Sequence, residues 1–157
     1  MTEIKLFAAD VDGTMTDGCM YYAENGIELK KFNFHDGMGF KLLRDAGINT
    51  AIITSEDTPI VKKRADKLKV DYLSMGTWGK LDFVKNICKE LNISLEETAY
   101  IGDDINDIEL LKAVKYKACP ADAMDKVKEI QGITVLSHKG GYGAVREFIE
   151  KLLADFE

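Results

Sequence analysis

"KLFAADVDGTMTDG", residues 5–18, sets an apolar run directly against two carboxylates. Leu6 to Ala9 are apolar at every position, and Asp10 and Asp12 follow at once. A run without polar alternation reads as a strand buried on both faces, as the strands of parallel sheets are. Two like charges beside such a strand tip repel each other. A cation and an anionic ligand completing the pair would explain why it is tolerated.

The same kind of run recurs along the chain. "NTAIIT", "ETAYIGD", "KYKACPA" and "ITVLS" read as further buried strands. Helical patterns alternate with them. Residues 37–46 place Phe40 and Leu43 inward together with Met38. Residues 59–68 begin with Pro59, whose missing N–H costs nothing in a first turn. Residues 81–91 repeat Leu81, Val84, Ile87, Cys88 and Leu91. Residues 105–114, 123–130 and 144–156 follow, the last burying Val145, Phe148, Ile149 and Leu152. Strand and helix in alternation predict an α/β fold, a doubly wound parallel sheet, in one domain over 1–157. One segment breaks the rhythm. "CMYYAENGIELKKFNF" has two β-prone arms around Asn25-Gly26, a strong hairpin signal. A lone hairpin showing Tyr, Ile and Phe is marginal, so it is expected to pack against another subunit.

Composition narrows the functional classes. With 46% apolar and 31% charged residues, the chain has the make-up of an ordinary globular protein. A net charge of −6 argues against nucleic-acid or membrane-surface partners. No apolar stretch approaches a membrane span, and "MTEIKLF" lacks the apolar region of a signal peptide. Cys19, Cys88 and Cys119 are an odd count without CxxC spacing, and read as reduced thiols of a cytoplasmic protein.

In an open parallel sheet, ligands bind beyond the carboxyl ends of the strands. Asp10 and Asp12 fall there, as do Thr54-Ser55 and the run Gly102-Asp103-Asp104 with Asp107. Lys80 opens a helix after "SMGTWG". Any one of these has an ordinary explanation as a loop, a helix cap or a solvated charge. Their joint occurrence at strand ends points to a site. The chemistry that fits is phosphoryl transfer through a carboxylate. Mg²⁺ suits two or three carboxylates with an open side. Asp10 can attack phosphorus, and Asp12 can protonate the leaving oxygen and then activate water. Thr54 can hold phosphate oxygens, and Lys80 can neutralise charge on nucleophile and phosphate.

At this point the sequence resembles the haloacid dehalogenase (HAD) superfamily of phosphatases. "DVDGT" matches its first motif, Thr54 the second, Lys80 the third and "GDDIND" the fourth. The resemblance implies Asp10 as nucleophile and Asp12 as acid/base. It implies Mg²⁺ on the Asp10 carboxylate, the Asp12 main-chain carbonyl and Asp103, with Asp104 and Asp107 in support. A narrower resemblance covers nearly the whole chain. "NGIELKKFNFHDGMGFKLL", Arg64 and "GGYGAVRE" are similar to the 3-deoxy-octulosonate (KDO) 8-phosphate phosphatases. That branch has no cap domain, and the resemblance implies a homotetramer whose hairpins assemble and whose neighbouring subunits cover each active site.

The departures bear on the substrate. Thr54-Ser55-Glu56 stands where that branch usually has Thr-Gly-Arg, His35 where it tends to have Arg, and Tyr142 where it has Arg. An acid in place of an anion-binding Arg favours sugar hydroxyls over a carboxylate at that point. The expectation is therefore a nine-carbon ulosonate 9-phosphate: 2-keto-3-deoxy-nononate (KDN) 9-phosphate or N-acetylneuraminate 9-phosphate. KDO 8-phosphate is the alternative. Ser55, Glu56, Arg64, Lys67 and Asn106 join Thr54 and Lys80 as expected phosphate- and substrate-binding residues. A reading of another class is a non-catalytic phospho-acceptor or regulatory module, since signalling receiver domains also combine an acidic pair, a Thr/Ser and a Lys.

Overall fold

A computed structural model describes residues 3–155. Six parallel strands form one sheet in the order β5-β4-β1-β6-β7-β8. They are β1 (Leu6–Ala9), β4 (Asn49–Ile53), β5 (Tyr72–Ser74), β6 (Thr98–Ile101), β7 (Tyr116–Cys119) and β8 (Thr134–Val135). The chain winds outward from β1 through β4 to β5, then returns to the other side of β1 with β6. Strand order reverses between β1 and β6, and that reversal opens a crevice at their carboxyl ends. Ala9 pairs with both Ile52 and Ile101, so Asp10, Thr54 and Gly102 leave the sheet almost level.

Each face is covered by helices whose apolar stripes meet the sheet. On one face α1 (Phe34–Asp45), α2 (Pro59–Leu68) and α6 (Ala144–Ala154) bring Phe40, Leu43, Val61, Ala65, Phe148 and Ile149 against Phe7 and Ile52. The Phe7 ring meets Phe40 edge-on at 5.9 Å between centroids. On the other face α3 (Lys80–Leu91), α4 (Ile108–Ala113) and α5 (Asp125–Lys128) bury Val84, Ile87, Leu110 and Val127 around Leu6 and Tyr100. Among the described residues no cap domain interrupts this core.

Three details differ from the sequence reading, and one is not tested. β5 was not expected: three residues of intermediate burial at a sheet edge give no apolar run. Met38 is 39% exposed, because the buried stripe of α1 runs through Asp36, Gly39, Phe40 and Leu43 and position 38 lies off it. Residues 105–114 open with a 3-10 turn over Ile105–Asp107 before α4. Phe156, placed in the last helix, lies outside the described residues.

The hairpin forms as β2 (Tyr21–Tyr22) and β3 (Glu28–Leu29). Ala23 N–H donates to the Ile27 carbonyl, which leaves Glu24, Asn25 and Gly26 as a three-residue loop. Gly26 takes φ +85°, the left-handed position such loops need. Met20, Tyr22, Ile27, Leu29 and Phe34 stay more than half exposed around it. Among the described residues no helix is long and apolar enough to cross a membrane. The three cysteines are free, Cys88 and Cys119 buried and Cys19 exposed.

Candidate active site

The site is built on the ends of β1, β4 and β6 and the first residue of α3. Asp10 leaves β1 with its N–H bonded to the Ile101 carbonyl, which fixes it against the centre of the sheet. Thr54 follows β4 directly and is buried, and its hydroxyl accepts the Glu56 N–H at 3.2 Å. Lys80 is the first residue of α3, after a glycine that places no side chain over the helix start. Its side chain runs inward and is buried.

The Lys80 ammonium has three partners for its three protons. It donates to Asp10 Oδ1 at 2.7 Å, to Asp107 Oδ1 at 2.8 Å and to the Tyr100 hydroxyl at 3.4 Å. Burial pulls a lysine's proton affinity down, but the two carboxylates outweigh it and hold Lys80 above its ordinary value. Asp107 is saturated as an acceptor. Its Oδ1 takes Lys80 and Tyr100, and its Oδ2 takes the N–H groups of Asp103 at 2.9 Å and Asp104 at 3.2 Å. It is the anchor that ties Lys80 to the loop after β6.

Asp103 stands across from Asp10, and Thr14 bridges them, its hydroxyl 3.4 Å from a carboxylate oxygen of each. Burial, then the neighbouring carboxylates, push the carboxyls of Asp10 and Asp103 well above the ordinary aspartate range. One oxygen from each of Asp10, Asp103 and Asp107 lies within 4.8 Å of the others. Crowding of this kind is relieved by a divalent cation, and hard carboxylate oxygens are the ligands Mg²⁺ takes. The backbone is shaped for such closeness. A side chain at Gly13, φ +85°, would come within 1.9 Å of the Asp103 carboxylate. The donor set thus fits a cation held by Asp10 and Asp103, with Asp107 orienting them.

Asp12 is part-exposed and turns away from this group. Lys30, just beyond β3, donates to Asp12 Oδ1 at 2.7 Å and to Glu56 Oε2 at 3.0 Å. Burial raises the Asp12 carboxyl, Lys30 pulls it back and Glu56 pushes it further, with a net rise. A cleft of about 270 Å³ opens above, lined by Asp10, Asp12, Thr54, Ser55, Glu56, Trp78, Asp103, Asp104 and Asn106. Asn106 donates to the Ser55 hydroxyl at 3.0 Å, closing one wall.

Most residues expected from the sequence therefore meet in one place: Asp10, Asp12, Thr54, Ser55, Glu56, Lys80, Asp103, Asp104, Asn106 and Asp107. Arg64 and Lys67 do not line this cleft. They line a neighbouring groove of about 410 Å³ with Lys30, Phe32, Pro59, Ile60 and Lys63. Arg64 is held there by the Asn33 carbonyl at 3.3 Å and the Phe32 ring. Glu56 lines the cleft as expected, but its charge is paired with Lys30 and is not free to repel a carboxylate. Sequence reasoning missed Lys30, Tyr100 and Trp78. Tyr100 carried a signal, a phenol hydroxyl inside a fully buried strand. Lys30 carried none, as it lies among exposed hairpin residues.

Known proteins resemble this chain over nearly its whole length. Residues 73–149 match the family of haloacid dehalogenase-like hydrolases. The 3-deoxy-D-manno-octulosonate 8-phosphate phosphatase of Haemophilus influenzae is 37% identical over 153 residues, 98% of this chain and 84% of that protein. The Escherichia coli K12 enzyme of the same name is 36% identical over 96% of this chain and 79% of its own. Among solved structures, the phosphatase of that name from Moraxella catarrhalis, in complex with magnesium ion, phosphate ion and KDO, superposes with a TM-score of 0.92. It is 35% identical and covers 98% of this chain and 87% of that one. A probable YrbI family phosphatase from Pseudomonas syringae gives 0.93 at 39% identity, over 98% of this chain and 86% of its own. The chain belongs to the haloacid dehalogenase-like hydrolases, on the branch that contains the 3-deoxy-D-manno-octulosonate 8-phosphate phosphatases.

Proposed function

We propose that this protein is a Mg²⁺-dependent phosphomonoesterase that hydrolyses the phosphate ester of a 3-deoxy-ulosonate through an aspartyl-phosphate. The observation that carries the reading is the buried Lys80 ammonium held between Asp10 and Asp107 at the foot of the cleft. A phospho-acceptor module needs no acid/base beside its acceptor, whereas Asp12 stands at the same cleft as Asp10.

Asp10 supplies the nucleophilic oxygen. Its carboxylate forms the bond to phosphorus while the bond to the sugar oxygen breaks, and that oxygen takes a proton from Asp12. Asp12 then takes a proton from a water that attacks phosphorus, the bond to Asp10 breaks, and inorganic phosphate leaves. Lys80 offsets charge as the phosphoryl group reaches Asp10. Thr54, Ser55 and Asn106 line the wall where phosphoryl oxygens would lie. Asp10, the Asp12 carbonyl and Asp103 would hold Mg²⁺, which when bound would supply the positive charge that lets a carboxylate approach a phosphate dianion. EDTA should abolish phosphate release, added Mg²⁺ should restore it, and Ca²⁺ should inhibit through its longer bonds and higher coordination. Full turnover in metal-free buffer, measured by released phosphate, would rule out the metal's part.

For the substrate, the relatives favour KDO 8-phosphate. One observation favours a nine-carbon acid, KDN or N-acetylneuraminate 9-phosphate: an acid, Glu56, lines the cleft. Pairing with Lys30 weakens that argument without removing Glu56 as an acceptor for sugar hydroxyls. kcat/KM over the three esters decides between the readings. KDO 8-phosphate is expected to lead, and a lead of about tenfold or more for a nine-carbon ester would reverse the order.

The hairpin implies assembly. Exposed Tyr22, Ile27 and Leu29 would be covered in a homotetramer, which would also close the open cleft. Sedimentation should give a tetramer, and an Ile27→Lys, Leu29→Lys double variant should dissociate. A fully active monomer would contradict this assignment.

A further inference from the structure

Lys30 is an expensive residue where it stands. Its side chain is only 3% exposed, and its ammonium faces three carboxylates: Asp12 at 2.7 Å, Glu56 at 3.0 Å and Glu28 at 3.5 Å. Withdrawing a lysine from water for structural pinning alone is a poor bargain, since apolar residues do that better. The site it occupies is specific. Asp12 and Glu56 line the catalytic cleft, while Lys30 itself lines the cationic groove beside it. Lys30 forms the partition between the two.

We infer that Lys30 is a positioning residue that clamps the Asp12 carboxylate for proton transfer to the leaving oxygen. The hydrogen bond holds Oδ1, and Oδ2 is the oxygen assigned to exchange the proton with the substrate. Glu56 and Glu28 hold the ammonium from the other sides, so the clamp is fixed at three points. The lysine stands one residue past β3, so the hairpin reaches back into the site of its own chain. This rests on Asp12 as the group that exchanges the proton.

The test compares two esters. A primary alkyl phosphate such as KDO 8-phosphate needs a proton on its departing oxygen. p-Nitrophenyl phosphate does not, because nitrophenolate leaves unaided. kcat/KM covers the steps up to loss of the leaving group, so it isolates this proton transfer from later hydrolysis of the aspartyl-phosphate. Lys30→Met should lower kcat/KM on the alkyl ester by about tenfold to a hundredfold. On p-nitrophenyl phosphate it should fall less than about threefold. Lys30→Arg, which keeps a charged donor, should fall less than Lys30→Met on the alkyl ester. If Lys30→Met does not fold, Lys30→Gln removes the charge while staying polar, and the same selective loss is expected. Equal losses on the two esters, no loss, or an Arg variant no better than Met would overturn the inference. Asp12→Asn, measured alongside, should show the same selectivity with a larger loss. If Asp12→Asn lowers both esters alike, the acid role of Asp12 fails and the clamp with it. If Asp12→Asn is selective and the Lys30 variants are not, the clamp alone fails.

Discussion

Asp10→Asn is expected to abolish turnover while leaving the fold in place. The amide is nearly the same size, and it can still accept from Lys80 at the position where Oδ1 now lies 2.7 Å away. It cannot form an aspartyl-phosphate, because a neutral amide oxygen is a poor nucleophile for phosphorus. The loss should reach about four orders of magnitude or more. Thermal unfolding should be little changed, since the variant removes one of several crowded negative charges. Steady-state phosphate release from purified protein, with the melting curve beside it, checks both halves. Near-normal turnover would end the nucleophile assignment.

Lys80→Met should be nearly as damaging, and for two reasons. The lysine offsets charge on the nucleophile and on the arriving phosphoryl group, so kcat should fall about a hundredfold to a thousandfold. It is also the cation that Asp10 and Asp107 share in the buried floor. Removing one partner of a buried ion pair leaves the others uncompensated, at a cost of about 3–5 kcal/mol. The sign with pH follows from the carboxyls. Asp10 and Asp103 are already pushed up by burial, and losing Lys80 pushes them further. A carboxyl raised in the folded state contributes stability at low pH that is lost as pH rises through its folded value. The deficit of Lys80→Met in metal-free buffer should therefore be larger at about pH 8 than at about pH 5. Chemical unfolding at the two values measures it, and a deficit that shrinks with rising pH would contradict the charge balance drawn here.

The fold and most of the cleft were legible because buried parallel strands leave a plain mark. Leu6–Ala9, Asn49–Ile53 and Thr98–Ile101 each end in apolar residues followed at once by Asp10, Thr54 and Gly102. The rule that ligands gather at strand carboxyl ends did the rest. β5 escaped because an edge strand of three half-buried residues needs no apolar run. Lys30 escaped for a different reason. Its partners Asp12 and Glu56 lie 18 and 26 residues away, and only the folded hairpin brings them together. Arg64 and Lys67 were read as sharing a face of α2 that serves either their own site or a neighbouring subunit's, and that face opens onto a groove beside the cleft of their own chain. Spacing along a helix says which residues share a face, and packing alone says what that face meets.

The central claim is the covalent step at Asp10. A rapid acid quench of the wild-type enzyme with its ulosonate phosphate, followed by proteolysis and mass spectrometry, tests it directly. The account predicts one phosphoryl group on the peptide carrying residues 5–18, at Asp10, lost on treatment with hydroxylamine and absent from Asp10→Asn. A quench taken at high turnover in which phosphate appears while that peptide stays unmodified, or modification at another residue that persists in Asp10→Asn, would contradict it.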